Sequence, residues 1–184
     1  MRGCPCLVVG GGRIATGKVR ALLACGARVQ VVSPTLNPGL RRLFERKKIR
    51  WEKRFFKASD LNGVLLAVAA TDQQPVNEAV SRAARRKGIW VNVVDRPELC
   101  SFIYPSVVRR GKLVVAISTG GASPALAKWI RRDLESRYGP ELGRLLASAA
   151  RARGPVLKRV RSPAARKRLF EKALNAYLQV LKPA

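Results

Sequence analysis

An apolar run that breaks into three glycines constrains this chain more than any other feature. Residues 4–15 read CPCLVVGGGRIA. The stretch from Gly10 to Ala15 fits G-x-G-x-x-G/A, and the run before it reads as a buried strand. The segment RIATGKVRALLACGA then has helical spacing through Ile14, Val19, Leu22 and Leu23, and stops at Gly26. Strand, glycine turn and helix in that order are the context that gives the pattern meaning. Gly10 permits the tight turn, Gly12 lets the backbone approach a pyrophosphate, and the small Ala15 lets helix and strand pack closely. The helix N-terminus then offers unpaired N–H groups to phosphate oxygens. The alternative is a glycine-rich turn that binds nothing.

The rest of the chain decides between them. RVQVVSP reads as a second strand, LNPGLRRLFERKK as a helix and IRWEKR as a third strand. GVLLAVAAT is a fourth, apolar throughout its centre as expected when both faces are covered. QPVNEAVSRAARRKG is a helix with Pro75 in its first turn and Gly88 at its end, and IWVNVV is a fifth strand. Strands alternating with helices predict an α/β fold, a Rossmann-type parallel sheet over residues 1–100 with right-handed crossovers. The pattern then changes. SFIYPSVVRRGKLVVAIST holds two β-rich runs around RRGK and predicts an antiparallel hairpin. A helix follows, with Ser123 as N-cap and Pro124 at the first helical position. Hairpin and helix find no room on a completed Rossmann sheet, so residues 101–139 are expected to pair across a twofold axis as a dimerisation region. Residues 140–184 read as a small C-terminal helical domain with breaks near Gly154-Pro155 and Ser162-Pro163.

Composition excludes several classes. The longest apolar runs are too short to span a membrane, and the N-terminus lacks a charged-then-apolar signal layout, so a soluble, cytoplasmic protein is expected. With no histidine and no C-x-x-C pair among Cys4, Cys6, Cys25 and Cys100, no metal site is expected, and the cysteines read as thiols of a reducing compartment. The 37 Lys and Arg against 11 Asp and Glu leave a net charge of +26. That excess points to a polyanionic partner, or to a general arginine bias with most charges solvated. One expected feature is missing. The acidic residue about 20 positions after the glycines, which would hold a ribose 2′-hydroxyl, is absent, and the second strand ends in Ser33-Pro34-Thr35. NAD and NADP are therefore not separated by this rule.

Taken together, CLVVGGGRIATGKVRALLACGARVQVVSP, LLAVAATDQQPVNEAV and VNVVDRPELCSFIYPSVVRRGKLVVAISTGGASPALAKWIRRDLE resemble the precorrin-2 dehydrogenase/sirohydrochlorin ferrochelatase module of siroheme synthases. The resemblance spans nearly the whole chain and weakens after about Leu146. It implies NAD-dependent oxidation of precorrin-2 to sirohydrochlorin, a homodimer and, in some members, insertion of a ferrous or cobaltous ion. No methyltransferase segment follows in these residues, so a stand-alone module is expected. By motif match the resemblance assigns cofactor contacts to Gly10, Gly12, Arg13, Ile14, Pro34, Thr35, Ala70, Thr71 and Asp72. Ser118 and Thr119 of the STGG turn would line the tetrapyrrole site, and Asp95 would be catalytic. The residues give Asp95 a reason of their own. It closes the fifth strand, where ligands of open α/β sheets bind, and Pro97 turns the chain away from helix. A carboxylate there can take a proton as hydride leaves for a nicotinamide. A loop residue capping local N–H groups is the structural alternative. Cys100 reads as packing and Glu98 as solvated. The implied substrate carries eight carboxylates, which gives part of the positive charge a use.

A rival reading is a non-catalytic NAD-sensing module whose basic C-terminal region binds nucleic acid. Residues 151–172 hold nine Lys and Arg and one acid, yet apart from Phe170 they lack interleaved aromatics for base stacking. Nucleic acid is therefore not the expected partner.

Overall fold

Strands that are apolar on every residue must be covered on both faces, and that requirement organises the first half of the molecule. The computed structural model describes residues 1–181, with side chains through residue 176. It divides into two compact units, Met1–Tyr104 and a second that begins at Pro105.

The first unit is built on five parallel strands, β1 (Pro5–Val9), β2 (Arg28–Val32), β3 (Arg50–Glu52), β4 (Leu66–Ala69) and β5 (Trp90–Val93), in the order β3-β2-β1-β4-β5. Helices α1 (Arg13–Ala24), α2 (Pro38–Glu45) and α3 (Gln74–Arg86) form the crossovers. Alternation along each strand sends side chains to two cores. Cys6 and Val8 meet Ala15, Val19 and Leu22 of α1 and Leu40 of α2 on one face. Leu7 and Val9 meet Val80, Ala83 and Ala84 of α3 on the other. Each fully buried Val or Leu here contributes roughly 1.5–3 kcal/mol. Burial pushes the Cys6 thiol up to about 11, with Cys4 adding to the effect, so Cys6 is a protonated core residue. The sheet grows outward from β1 through β2 to β3, then returns to place β4 on the other side of β1. The strand order therefore reverses between β1 and β4, and their carboxyl ends open a crevice.

After β5 the chain does not enter the hairpin directly. Ser101 N donates to Val91 O at 2.8 Å, and Ser101 Oγ accepts from Val91 N at 2.7 Å. Phe102 and Tyr104 pack on the α1 face of the core, so these residues belong to the first unit.

The second unit begins with an antiparallel hairpin, β6 (Ser106–Arg110) and β7 (Leu113–Ile117), turned at Gly111 with φ of 61°. The apolar run SFIYP contributes no strand to it. Helix α4 (Pro124–Arg137) starts as expected, with Ser123 Oγ accepting from Leu126 N at 3.2 Å. Helix α5 (Glu141–Arg159) corrects an expectation. It runs unbroken through Gly154-Pro155. A proline removes one N–H bond from a helix interior. All five residues from Arg151 to Pro155 are exposed here, so water can serve the carbonyl left free. The break at Ser162-Pro163 does occur. Helix α6 (Pro163–Leu181) starts there with Ser162 Oγ accepting from Ala165 N at 3.3 Å. Among the described residues, no helix is long and apolar enough to cross a membrane.

Candidate active site

The crevice at the carboxyl edge of the sheet is a cavity of about 1060 Å³. Its wall contains Gly10, Gly12, Arg13, Ile14, Pro34, Thr35, Ala70, Thr71, Asp72 and Asp95. Ten residues chosen from four separate stretches of sequence thus line one space. Ser118 and Thr119 lie in the second unit, in the turn before α4. There Ser118 Oγ accepts from Gly120 N at 3.2 Å and Thr119 Oγ1 accepts from Ser123 N at 3.1 Å.

The glycine loop is shaped by what passes close to it. Gly10 has φ of 125°, and a Cβ there would lie 2.3 Å from the Ala70 carbonyl oxygen. Gly11 is the tightest position, since a Cβ would meet Thr35 O at 1.8 Å. Gly12 is different. Its backbone is extended and a Cβ would meet nothing within 4 Å. Behind it α1 starts without a side-chain cap and without an acidic residue in its first turn, and Arg13 stands there instead. Open space before uncapped N–H groups, beside a cation, fits a pyrophosphate.

Other side chains hold the neighbouring loops. Asn37 Oδ1 caps α2 by accepting from Leu40 N at 2.9 Å, and also accepts from Thr16 Oγ1 at 3.0 Å. Asn37 N donates to Gly11 O at 2.9 Å, tying the glycine loop to the end of β2. Trp51 Nε1 donates to Ser33 O at 2.9 Å. The Thr71 loop is locked by buried Asn77, whose Oδ1 accepts from Thr71 N at 3.2 Å and Thr71 Oγ1 at 2.7 Å, while its Nδ2 donates to Thr71 O at 3.0 Å. Arg54 lines the same cavity, held by a two-pronged contact to Asp60 at 2.9 and 2.6 Å. Burial raises the Asp60 pKa, but the Arg54 guanidinium and the Lys57 backbone N–H outweigh it and hold the carboxyl below its ordinary range.

Asp95 lies two residues beyond β5, exposed, with φ of 58°. That left-handed conformation is unusual for a residue with a side chain. Its turn is braced by Cys100, whose Sγ accepts from Val93 N at 3.1 Å and lies 3.3 Å from Arg96 O. Ser81 Oγ donates to Leu99 O at 2.7 Å and fastens the far end to α3. Cys100 therefore does more than fill space. Glu98 is exposed and pairs with Arg96, which holds its carboxyl low.

Sequence reasoning passed over Gly11, Asn37, Asn77, Arg54 and Lys18. The Asn37-Pro38 pair carried a helix-start signal that could have exposed Asn37. Lys18 sits half-buried on α1 with its ammonium 4.1 Å from the centroid of the Tyr104 ring. Burial lowers its pKa, partly offset by Cys100 and Asp95.

A glycine-turn pyrophosphate cradle at the switch point of a parallel sheet defines a dinucleotide-binding Rossmann protein. Comparison with known families agrees. Residues 1–106 match the family described as "Putative NAD(P)-binding", and residues 110–137 match the sirohaem biosynthesis protein central region. The chain belongs to this NAD(P)-binding family. It is 47% identical over 170 residues to siroheme synthase of Methylobacillus flagellatus, covering 92% of this chain and 36% of the relative. The siroheme synthase of Methylococcus capsulatus is 43% identical over 175 residues, covering 95% of this chain and 37% of the relative. The chain thus spans a little over a third of the length of these relatives. A solved structure of SirC, precorrin-2 dehydrogenase, superposes with a TM-score of 0.79 at 29% identity, covering 98% of this chain and 94% of that one.

Proposed function

We propose that the chain catalyses NAD-dependent oxidation of precorrin-2 to sirohydrochlorin. The observation that carries the reading is an exposed carboxylate just past the end of β5, Asp95, held at positive φ in the wall of a dinucleotide cavity. The likeness to SirC, precorrin-2 dehydrogenase, over nearly the whole of both chains supports it.

Bound NAD supplies the acceptor for the hydride. The residues of this chain do the rest. Uncapped N–H groups of α1 and the open face of Gly12 receive the pyrophosphate, with Arg13 adding charge. Ile14, Pro34 and Thr35 flank the adenosine side, where the Thr35 hydroxyl takes the place of the absent carboxylate. Ala70, Thr71 and Asp72, locked by Asn77, bound the other side. Asp95 accepts the proton that the macrocycle loses as its hydride departs, so charge and atoms balance. Ser118 and Thr119 line the tetrapyrrole site, residues 105–139 form the contact of a homodimer, and helices α5 and α6 form an appendage. Insertion of a ferrous or cobaltous ion is a second activity of the same site, with Asp95 taking the pyrrole protons. A cytoplasmic location suits an enzyme that works with soluble NAD.

The test is an anaerobic assay of the full chain with precorrin-2 and NAD, followed by sirohydrochlorin with ferrous or cobaltous ion. Asp95→Asn is the informative variant, because asparagine tolerates the left-handed backbone. It should lower kcat by roughly 10²–10⁴-fold with NAD affinity intact. Wild-type protein that binds NAD but leaves precorrin-2 unchanged overturns the reading and leaves the NAD-sensing alternative.

A further inference from the structure

The conformation of Asp95 must be held from outside, because its own backbone does not favour it. Among the described non-glycine residues only Lys47 and Asp95 stand at positive φ. Asp95 is the third residue of the turn Val93–Arg96, which Arg96 N closes by donating to Val93 O at 3.4 Å. Positive φ at that place favours glycine or asparagine, and the closing bond is long. Both flanks of the turn are anchored. On one side β5 pairs with β4. On the other, Ser81 Oγ donates to Leu99 O at 2.7 Å, and Arg85 Nη2 donates to Glu98 O at 2.9 Å and Cys100 O at 3.1 Å. One atom meets both shoulders of the turn. Cys100 Sγ accepts from Val93 N at 3.1 Å, and its S–H faces Val93 O and Arg96 O, each at 3.3 Å. The edge position of β5 explains why the thiol is needed there. Trp90 N and Val94 N donate toward β4, to Leu65 O and Ala69 O, so Val93 N points away from the sheet. The sulfur serves a backbone donor that has no strand beyond it.

We propose that Cys100 is a positioning residue for Asp95, whose thiol fixes both shoulders of the turn and so keeps the carboxylate in the cavity wall. The inference rests on the reading of Asp95 as the proton acceptor. A general base works only within hydrogen-bond reach of the proton it takes. Rotation about φ of residue 95 swings the carboxylate out of that reach. Without the sulfur, Val93 N and Arg96 O lose their shared partner, and Asp95 relaxes toward the negative φ that its type prefers. The glycine loop and the start of α1 make none of these contacts, so the effect falls on turnover and not on NAD.

The test measures kcat for precorrin-2 at saturating NAD in wild type, Cys100→Ala and Cys100→Ser, and repeats Cys100→Ala in an Asp95→Asn background. Backbone amide exchange is followed by NMR in the same proteins. Cys100→Ala should lower kcat by roughly 10–100-fold, the scale of a base displaced by up to an ångström, with NAD affinity within a few-fold. Cys100→Ser keeps a donor and an acceptor and should recover most of the rate. In the Asp95→Asn background Cys100→Ala should cost nothing further, because the sulfur acts through the carboxylate. Exchange at Val93 and Arg96 should quicken by roughly 3–10-fold, the scale of one ordinary hydrogen bond, while Val91, served by Ser101, stays as it was. If Cys100→Ala loses its thermal transition, Cys100→Val takes its place, filling the volume of the sulfur without its hydrogen bonds. Unchanged kcat in a folded Cys100→Ala overturns the positioning role and leaves the reaction standing. Equal losses with aspartate and with asparagine at position 95 also overturn it, since they mark a purely structural residue, as does a serine variant as slow as alanine. If wild type leaves precorrin-2 unchanged, the reaction falls; the hold on the turn then stands if Val93 and Arg96 exchange depends on Cys100, and falls if it does not.

Discussion

Replacing Gly12 with valine separates cofactor binding from folding, because the structure gives this glycine no structural duty. Its φ of −87° and ψ of −170° are open to any residue, and a Cβ there meets no atom within 4 Å. The folding cost is then the loss of a good N-cap residue for a poor one, about 0.5–1 kcal/mol. The binding cost is larger. The new side chain fills the space in front of α1, where a pyrophosphate must come within hydrogen-bond reach of the helix N–H groups. Losing two such bonds to a charged group, at about 1.5–3 kcal/mol each, removes about 3–6 kcal/mol of binding. That corresponds to a Kd raised more than about 100-fold. The assay is calorimetric or fluorescence titration with NAD, beside a thermal melt without ligand. A folded Gly12→Val protein with NAD affinity within a few-fold of wild type refutes the assignment of this loop to the pyrophosphate.

Gly11→Ala should do the reverse, lowering the melting temperature before any ligand is added. Its Cβ would lie 1.8 Å from Thr35 O, and overpacking of this kind costs typically 1–3 kcal/mol. Asn77→Leu should destabilise the protein by about 1–3 kcal/mol in chemical denaturation, because Thr71 loses three hydrogen bonds to a buried amide. It should also weaken NAD binding by loosening the cavity wall. Asp60→Asn should lower the melting temperature at neutral pH. The folded-state pKa of Asp60 lies below the ordinary 3.8, so its contribution is present above that value and lost as pH falls through the folded pKa. The gap between wild type and variant should therefore close in melts taken below about pH 4; a constant gap contradicts the ion-pair account.

The strand, glycine turn and helix at the start, the apolar β4 run and the Pro75 and Pro124 helix starts were legible in the chain itself. Each is a signal that acts within a turn or two of backbone, and parallel-sheet topology follows from their alternation with few choices left. The ten first-unit residues to which the family resemblance pointed line one cavity, since they lie at or just past the carboxyl ends of strands the pattern had located. Tertiary structure decided the rest. That Gly11, rather than Gly12, is the glycine the fold cannot exchange depends on Thr35 passing beside it, a contact 24 positions away in sequence. The left-handed turn at Asp95 depends on Cys100 and Ser81 fastening its far end to β5 and α3. The persistence of α5 through Pro155 depends on solvent reaching its backbone. Lys18 reads in the sequence as one cation among 37. Its burial over Tyr104 arises because the segment after β5 folds back across the face that α1 covers. Local pattern specifies which elements form; close approach between distant segments is set by the order of strands in the sheet, and that order brings the chemistry together.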